Sequence, residues 1–151
     1  TIFLKGDIMK VKIINKSNNP LPKYSTIGSS GMDLRAYTEN DITLKPLERT
    51  LVPTGIYIAI PEGYEVQIRP RSGLSIKHGI TLINCVGTID SDYRGELKIP
   101  VVNLSNEEYT ISSGDRICQM ILQKYENIEF EEVEVLDETD RNDGGFGHTG
   151  Y

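Results

Sequence analysis

Residues Leu51 to Arg69 read LVPTGIYIAIPEGYEVQIR, and their spacing decides the architecture. Apolar residues alternate through Leu51–Ile60 around a Pro-Thr-Gly break, and again through Glu65–Arg69 beyond the turn signal Pro61-Glu62-Gly63. A period of two with β-branched side chains is the signature of half-buried strands. The same alternation appears in Lys10–Ile14, Leu97–Val102 and Ile128–Val135. In the last, Ile128 and Phe130 share one parity while Val133 and Val135 share the other, which predicts a strand whose burial changes partway along. Turn signals recur at Asn18-Asn19-Pro20, Ser105-Asn106 and Ser113-Gly114-Asp115. No stretch of 12 or more residues carries a 3.6-residue apolar stripe. The best helical candidate, Ser72–His78, is confined by Gly73 and Gly79 to a couple of turns. Short strands at this spacing predict an all-β protein, a distorted jelly-roll-like barrel or sandwich.

The chain has 151 residues, enough for one domain with one core. It carries 16 Lys+Arg against 22 Asp+Glu, a net charge of −6, whereas a nucleic-acid coat usually has a basic surplus. No apolar run is long enough to span a bilayer, and no apolar segment of a secretory signal is visible. Two Cys without a CxxC pair, and two His, give no recognisable zinc spacing and no disulfide scaffold, so a reducing cytoplasm is the expected compartment. The acidity is concentrated: Glu126 to Asp143 holds nine carboxylates and one arginine, Arg141, leaving the remainder at +2. From these features we divide the chain into a β domain, 1–136, and a Gly-rich mobile segment, 137–151. Thr1–Ile8, ahead of Met9, reads as a possible leader or expression remnant.

Four segments carry polar groups able to do chemistry. RPRSGLS, Arg69–Ser75, sets two arginines, a hydroxyl and a glycine where a strand gives way to a short helix. Arg71 can fork onto phosphate oxygens and Gly73 permits close backbone approach, although Ser72 capping a helix among surface arginines fits equally. GTIDSDYRG, Gly87–Gly95, holds Asp90 and Asp92 two apart. In an extended strand both would face one side, one of them beside a water as general base; an Asp-rich stretch ending in Gly is also what a turn looks like. Asp33 follows a Ser/Gly loop in GSSGMDLRA, and Gln119 is the polar exception in the strand-like SGDRICQMIL. Either residue suits a ligand or a structural role. Phe146, alone between glycines, can act as a lid on a planar ligand.

Taken in order, GMDLRA, RPRSGLS, GTIDSDYRGELKI, GDRICQMIL and RNDGGFGHTG resemble the five motifs of the all-β, homotrimeric dUTP diphosphatase (dUTPase) family, from Gly31 to Gly150. In such enzymes water hydrolyses dUTP to dUMP and pyrophosphate, limiting uracil in DNA and supplying dUMP for thymidylate synthesis. The resemblance implies that Asp90 activates the water that attacks the α-phosphorus. It implies that Mg2+ arrives on the phosphates and is held by Asp33 through water. Arg71, Ser72, Gly73 and Gln119 match phosphate contacts. Asn84 and the backbone of Gly87, Thr88 and Ile89 match the β-hairpin that reads uracil, and Tyr93 matches the ring that packs on deoxyribose and excludes a 2′-hydroxyl. Lys98 stands at a substrate-contact position. Phe146 matches the aromatic that covers the base, and Arg141, Gly147, His148 and Thr149 match the tail that closes over the outer phosphates.

The resemblance further implies three sites shared between subunits, with no nucleic-acid or membrane partner. Two departures stand out: Met32 replaces a common aromatic or leucine, and Asn142-Asp143 replaces a smaller Gly-containing pair. The acidic tail should be repelled by the triphosphate and so favour an open lid in the free enzyme. An unchanged proteolysis rate after neutralising Asp140 and Asp143 counts against that idea. Two rivals share the resemblance, a dCTP deaminase-like relative and a non-catalytic dUTP-binding trimer. The former needs an extra acid/base, and the only glutamate in the third motif, Glu96, lies beyond Gly95.

Overall fold

The structure, a computed structural model, describes residues 8–150. Of the expected leader only Ile8 falls within it, exposed; Thr1–Asp7 and Tyr151 lie outside the described residues. Among the described residues there are eleven strands and one helix. In chain order these are β1 (Lys12–Asn15), β2 (Met32–Arg35), β3 (Ile42–Leu44), β4 (Arg49–Pro53), β5 (Ile56–Ala59), β6 (Tyr64–Arg69), α1 (Ser72–His78), β7 (Ile80–Leu82), β8 (Gly87–Ile89), β9 (Lys98–Asn103), β10 (Tyr109–Ile111) and β11 (Arg116–Lys124).

The strands form a four-stranded sheet, β2-β11-β6-β8, a three-stranded sheet, β4-β9-β7, and two ribbons, β1-β5 and β10-β3. Every pairing is antiparallel. The period-two reading accounts for which faces are buried. Ile56, Ile58, Val66 and Ile68 point inward, while Tyr57, Glu65, Gln67 and Arg69 face out. One core joins Leu34, Val66, Ile68 and Cys118 of the larger sheet to Val52, Ile80, Leu82, Ile99 and Val101 of the smaller. The result is a jelly-roll-like sandwich rather than a closed barrel. Each such side chain contributes roughly 1.5–3 kcal/mol on burial, and truncating Ile99 to Ala costs about 2–5 kcal/mol because the close-packed layer refills poorly.

Helix α1 occupies the expected seven residues. Arg71, in extended conformation, stands at its N-cap without a side-chain cap bond, so Ser72 is the first helical residue and not the cap. Gly79 ends the helix at φ 66°, its N–H donating to the Ser75 carbonyl. A Cβ there would lie 2.8 Å from the Ser105 backbone nitrogen, so the stop is fixed by both conformation and space.

Two expectations fail. Ile128–Val135 forms no strand: β11 ends at Lys124, and Ile128, Phe130, Val133, Val135 and Leu136 are exposed. Alternation reports only a local preference, and a strand also needs an edge to pair with. The second concerns residues 80–89. β7 pairs with β9 and β8 with β6, so the chain between them crosses from one sheet to the other and is not a hydrogen-bonded hairpin.

Candidate active site

Asp90 leaves the end of β8 and begins a turn, its carbonyl accepting the Tyr93 N–H at 3.1 Å. The extended geometry that would set Asp90 and Asp92 side by side is therefore absent; the turn alternative holds. Asp90 is exposed, at the wall of a cleft of about 390 Å³ lined also by Asn84, Thr88, Ile89, Tyr93 and Lys98. Gly87 is on the same short strand. The cleft lies between the edge of β8 and the β4-β9 surface, with Leu51 and Pro100 as its apolar floor. It falls within the range of small-molecule sites. Lys98 is half exposed, its Nζ 4.0 Å from Glu96 Oε2, where solvent leaves such a pair little net energy.

The second group assembles on the outer face of the larger sheet. The register sets Asp33 opposite Gln119, and Gln119 opposite Arg69. Arg71 Nε donates to Asp33 Oδ1 at 3.1 Å, and Arg116 Nη1 donates to Asp33 Oδ2 at 3.5 Å. Gln119 Nε2 donates to the Pro70 carbonyl at 3.1 Å. Its other end faces Gly31, where a Cβ would sit 2.7 Å from Gln119 Oε1. Ser72 and Gly73 follow Arg71, both exposed. One carboxylate is thus held between two guanidinium groups beside a loop with a free hydroxyl, an arrangement able to receive an anion. Arg116 and Gly31 were given no role from sequence. Arg116 was visible only as a basic residue after Asp115, and the carboxylate it shares is 83 positions away.

The two groups do not share a cavity. Ile68 pairs with Gly87 and Val66 with Ile89, so Asp90 lies level with Glu65. Arg69 is four residues from that level, about 13 Å along the strand, and Arg71 and Ser72 continue beyond it. Asp33 is in addition three strands away across the sheet. Nor does the tail reach either group by a hydrogen bond among the described residues. Arg141 Nε donates to the Gly144 carbonyl, His148 N–H to Gly145, and Gly150 N–H to Gly147. Phe146 is fully exposed, and Thr149 lies in the last of these turns. Asn142 takes φ 45°, a left-handed position that Asn tolerates, so the residue replacing a smaller one is compatible with the turn it occupies.

For a metal, no group of three or more His, Cys, Asp or Glu is placed to hold an ion among the described residues. Asp33 is only partly buried, and each of its oxygens accepts a single bond, which leaves lone pairs for a water. That donor set fits an ion brought by a phosphate ligand and touched through water, and does not fit an all-protein cage. Behind it, burial pushes the Cys118 thiol well above its ordinary value. The Asp33 charge adds to this and Arg71 opposes it, so Cys118 is an inert core residue.

Comparison with known proteins identifies the family. The dUTPase family model matches residues 17–150. The deoxyuridine 5'-triphosphate nucleotidohydrolase of Finegoldia magna is 96% identical over 143 residues, covering 95% of this chain and all of that protein. The corresponding protein of Fusobacterium nucleatum is 64% identical over 94% of this chain and 97% of its own length. Among solved structures, the Staphylococcus bacteriophage 80alpha dUTPase with dUpNHpp superposes with a TM-score of 0.84 at 23% identity, over 94% of this chain and 99% of that one. A mutant dUTPase from phage phi11 of S. aureus, in which a structural Mg(II) ion is coordinated, gives 0.77 at 22% identity over 86% of this chain and all of that one. At that distance the structures speak for the fold, while the family match spans both residue groups and the tail. The chain belongs to the dUTPase family.

Proposed function

We propose that this protein hydrolyses dUTP to dUMP and pyrophosphate, with Asp90 as the general base. The observation that carries the reading is the placement of an exposed carboxylate at the mouth of a cleft walled by Asn84, Thr88, Ile89, Tyr93 and Lys98. A water held by Asp90 attacks the α-phosphorus. Its proton passes to the carboxylate, a new P–O bond forms, and the bond to the α,β-bridging oxygen breaks, so pyrophosphate leaves with that electron pair. Such displacement needs alignment and charge neutralisation more than covalent help. Asn84 and the β8 backbone present hydrogen-bonding groups to the uracil edge, and Tyr93 walls the sugar. Arg71, Ser72, Gly73 and Gln119 grip the phosphates. Asp33 would hold a phosphate-borne Mg2+ through water, and the ion would supply further charge neutralisation when bound.

The separation of Asp90 from the Arg71 group supports sites built between subunits of a homotrimer, each taking Asp90 from one chain and Arg71 from another. The exposed apolar residues Ile128, Phe130, Val133, Val135 and Leu136 support the same reading, since patches of that kind mark contact surfaces. The tail 137–151 then acts as a mobile lid on a β domain spanning 1–136, with Phe146 covering the base and Arg141, Gly147, His148 and Thr149 closing over the outer phosphates. We place the enzyme in the cytoplasm; among the described residues no helix is long and apolar enough to cross a membrane. A deaminase reading is disfavoured because Glu96 Oε1 is occupied by the Gly55 N–H at 2.9 Å.

The test is Asp90→Asn. Turnover should fall by about 10²–10⁴-fold, the usual contribution of a positioned base, with the variant still binding dUTP. In labelled water the wild type should place heavy oxygen in dUMP. Label in pyrophosphate, or full turnover by the variant, overturns the mechanism. Tight dUTP binding by the wild type without pyrophosphate release would favour a non-catalytic binder.

A further inference from the structure

We infer that Gly95 and Glu96 are positioning residues for Tyr93, and that the latch they form sets the enzyme's discrimination at the sugar 2′-position. The inference rests on the reading of Tyr93 as the sugar wall and names what holds that wall in place.

Tyr93 is 44% exposed, and a side chain so open to water would ordinarily sample several rotamers. Here it is tied at both ends. Its backbone N–H donates to the Asp90 carbonyl at 3.1 Å, and its hydroxyl donates to the Glu96 carbonyl at 2.9 Å. To reach Glu96 the ring folds back over the chain and occupies the space beside Gly95. A Cβ at position 95 would lie 2.6 Å from Tyr93 Cζ, closer than real contacts allow, and a tight 3.0 Å from Cε2. Only a residue without a side chain leaves the ring there.

Glu96 is itself anchored. Its Oε1 accepts the Gly55 N–H at 2.9 Å, and the next residue, Leu97, donates its N–H to the Ile56 carbonyl at 2.8 Å while its own carbonyl accepts from Thr54 Oγ1 at 2.6 Å. The acceptor for the Tyr93 hydroxyl therefore belongs to a rigid segment bonded to the turn between β4 and β5. A wall fixed before binding costs no ordering when the sugar arrives, and it rejects an added hydroxyl by shape, which a swinging ring cannot do.

The experiment compares kcat/KM for dUTP and UTP in Gly95→Ala, Tyr93→Phe and Tyr93→Ala, with thermal melts to show that each variant is folded. Gly95→Ala should narrow the dUTP-to-UTP ratio by roughly tenfold, the scale on which pocket shape discriminates. Tyr93→Phe keeps the ring and loses only its tether, and should narrow the ratio by roughly threefold, as the loss of one net hydrogen bond implies. A purely structural role for Gly95 would lower both substrates equally and leave the ratio alone. If Tyr93→Ala loses the selectivity while Gly95→Ala and Tyr93→Phe keep it, the latch is wrong and the sugar wall stands. If Tyr93→Ala keeps the selectivity, both fall. Should Gly95→Ala not fold, Tyr93→Phe alone decides.

Discussion

The two candidate residue groups of this chain are built in opposite ways. At the Asp90 end most of the lining comes from one continuous stretch, Asn84 to Lys98, and the bonds that close its turn are short in sequence, Tyr93 to Glu96 and Tyr93 to Asp90. At the Arg71 end the bonds span 38, 49 and 83 positions, because three strands and the start of α1 must be in register before Asp33, Arg71, Arg116 and Gln119 meet. The first group is a turn closed by local bonds and docked, through Glu96 and Leu97, on the turn between β4 and β5. The second is a product of the finished sheet. Damage to the β2-β11-β6 register should thus scatter the Arg71 group while leaving the Tyr93 turn closed.

The sharpest way to break this comparison is to inactivate one group per chain and mix the chains. Assayed at dUTP well below KM, Asp90→Asn and Arg71→Ala homo-oligomers should each be nearly inactive. Refolded together, they should recover about a quarter of wild-type activity, the fraction of shared sites in a random trimer that draw both intact residues. No recovery would return the two groups to a single chain. A smaller effect separates the two arginines on Asp33. Arg71→Ala removes a close charge-assisted bond and should raise KM for dUTP roughly 10–100-fold, whereas Arg116, at 3.5 Å and half exposed, should cost about tenfold or less. Equal losses would mean that Arg116 touches phosphate directly.

The smallest effect concerns pH. Cys118 beneath Asp33 and Tyr109 near Arg71 both ionise above their ordinary values, chiefly through burial. A folded-state value raised above the unfolded one means the native chain holds its proton longer. The stability they contribute is full below about pH 9 and declines as pH climbs above it. Denaturant midpoints measured from pH 8 to 11 should fall, and Cys118→Ala should flatten the slope. Arg71→Ala should steepen it slightly, since that arginine favours the thiolate.

What sequence could reveal follows the same division. Leu51–Arg69 shows its strands plainly because alternation is local, and Ser72–His78 is bracketed by glycines that stop it. Asp90, Tyr93 and Asn84 are singled out only by the resemblance of their motif, since the residues alone leave Asp90 open between a turn and a base. Partner choice is not local: nothing in residues 80–89 announces that β7 and β8 enter different sheets. Nothing near Arg116 reveals a carboxylate on β2. Ile128–Val135 misleads for the same reason, offering a strand's alternation that meets no pairing partner among the described residues.

That last segment has a practical corollary. A freshly made copy trails a greasy ribbon, Ile128 to Leu136, into water, with Glu129, Glu131, Glu132 and Glu134 spaced along it. Those interleaved negative charges act as gatekeepers against clumping of the exposed apolar residues.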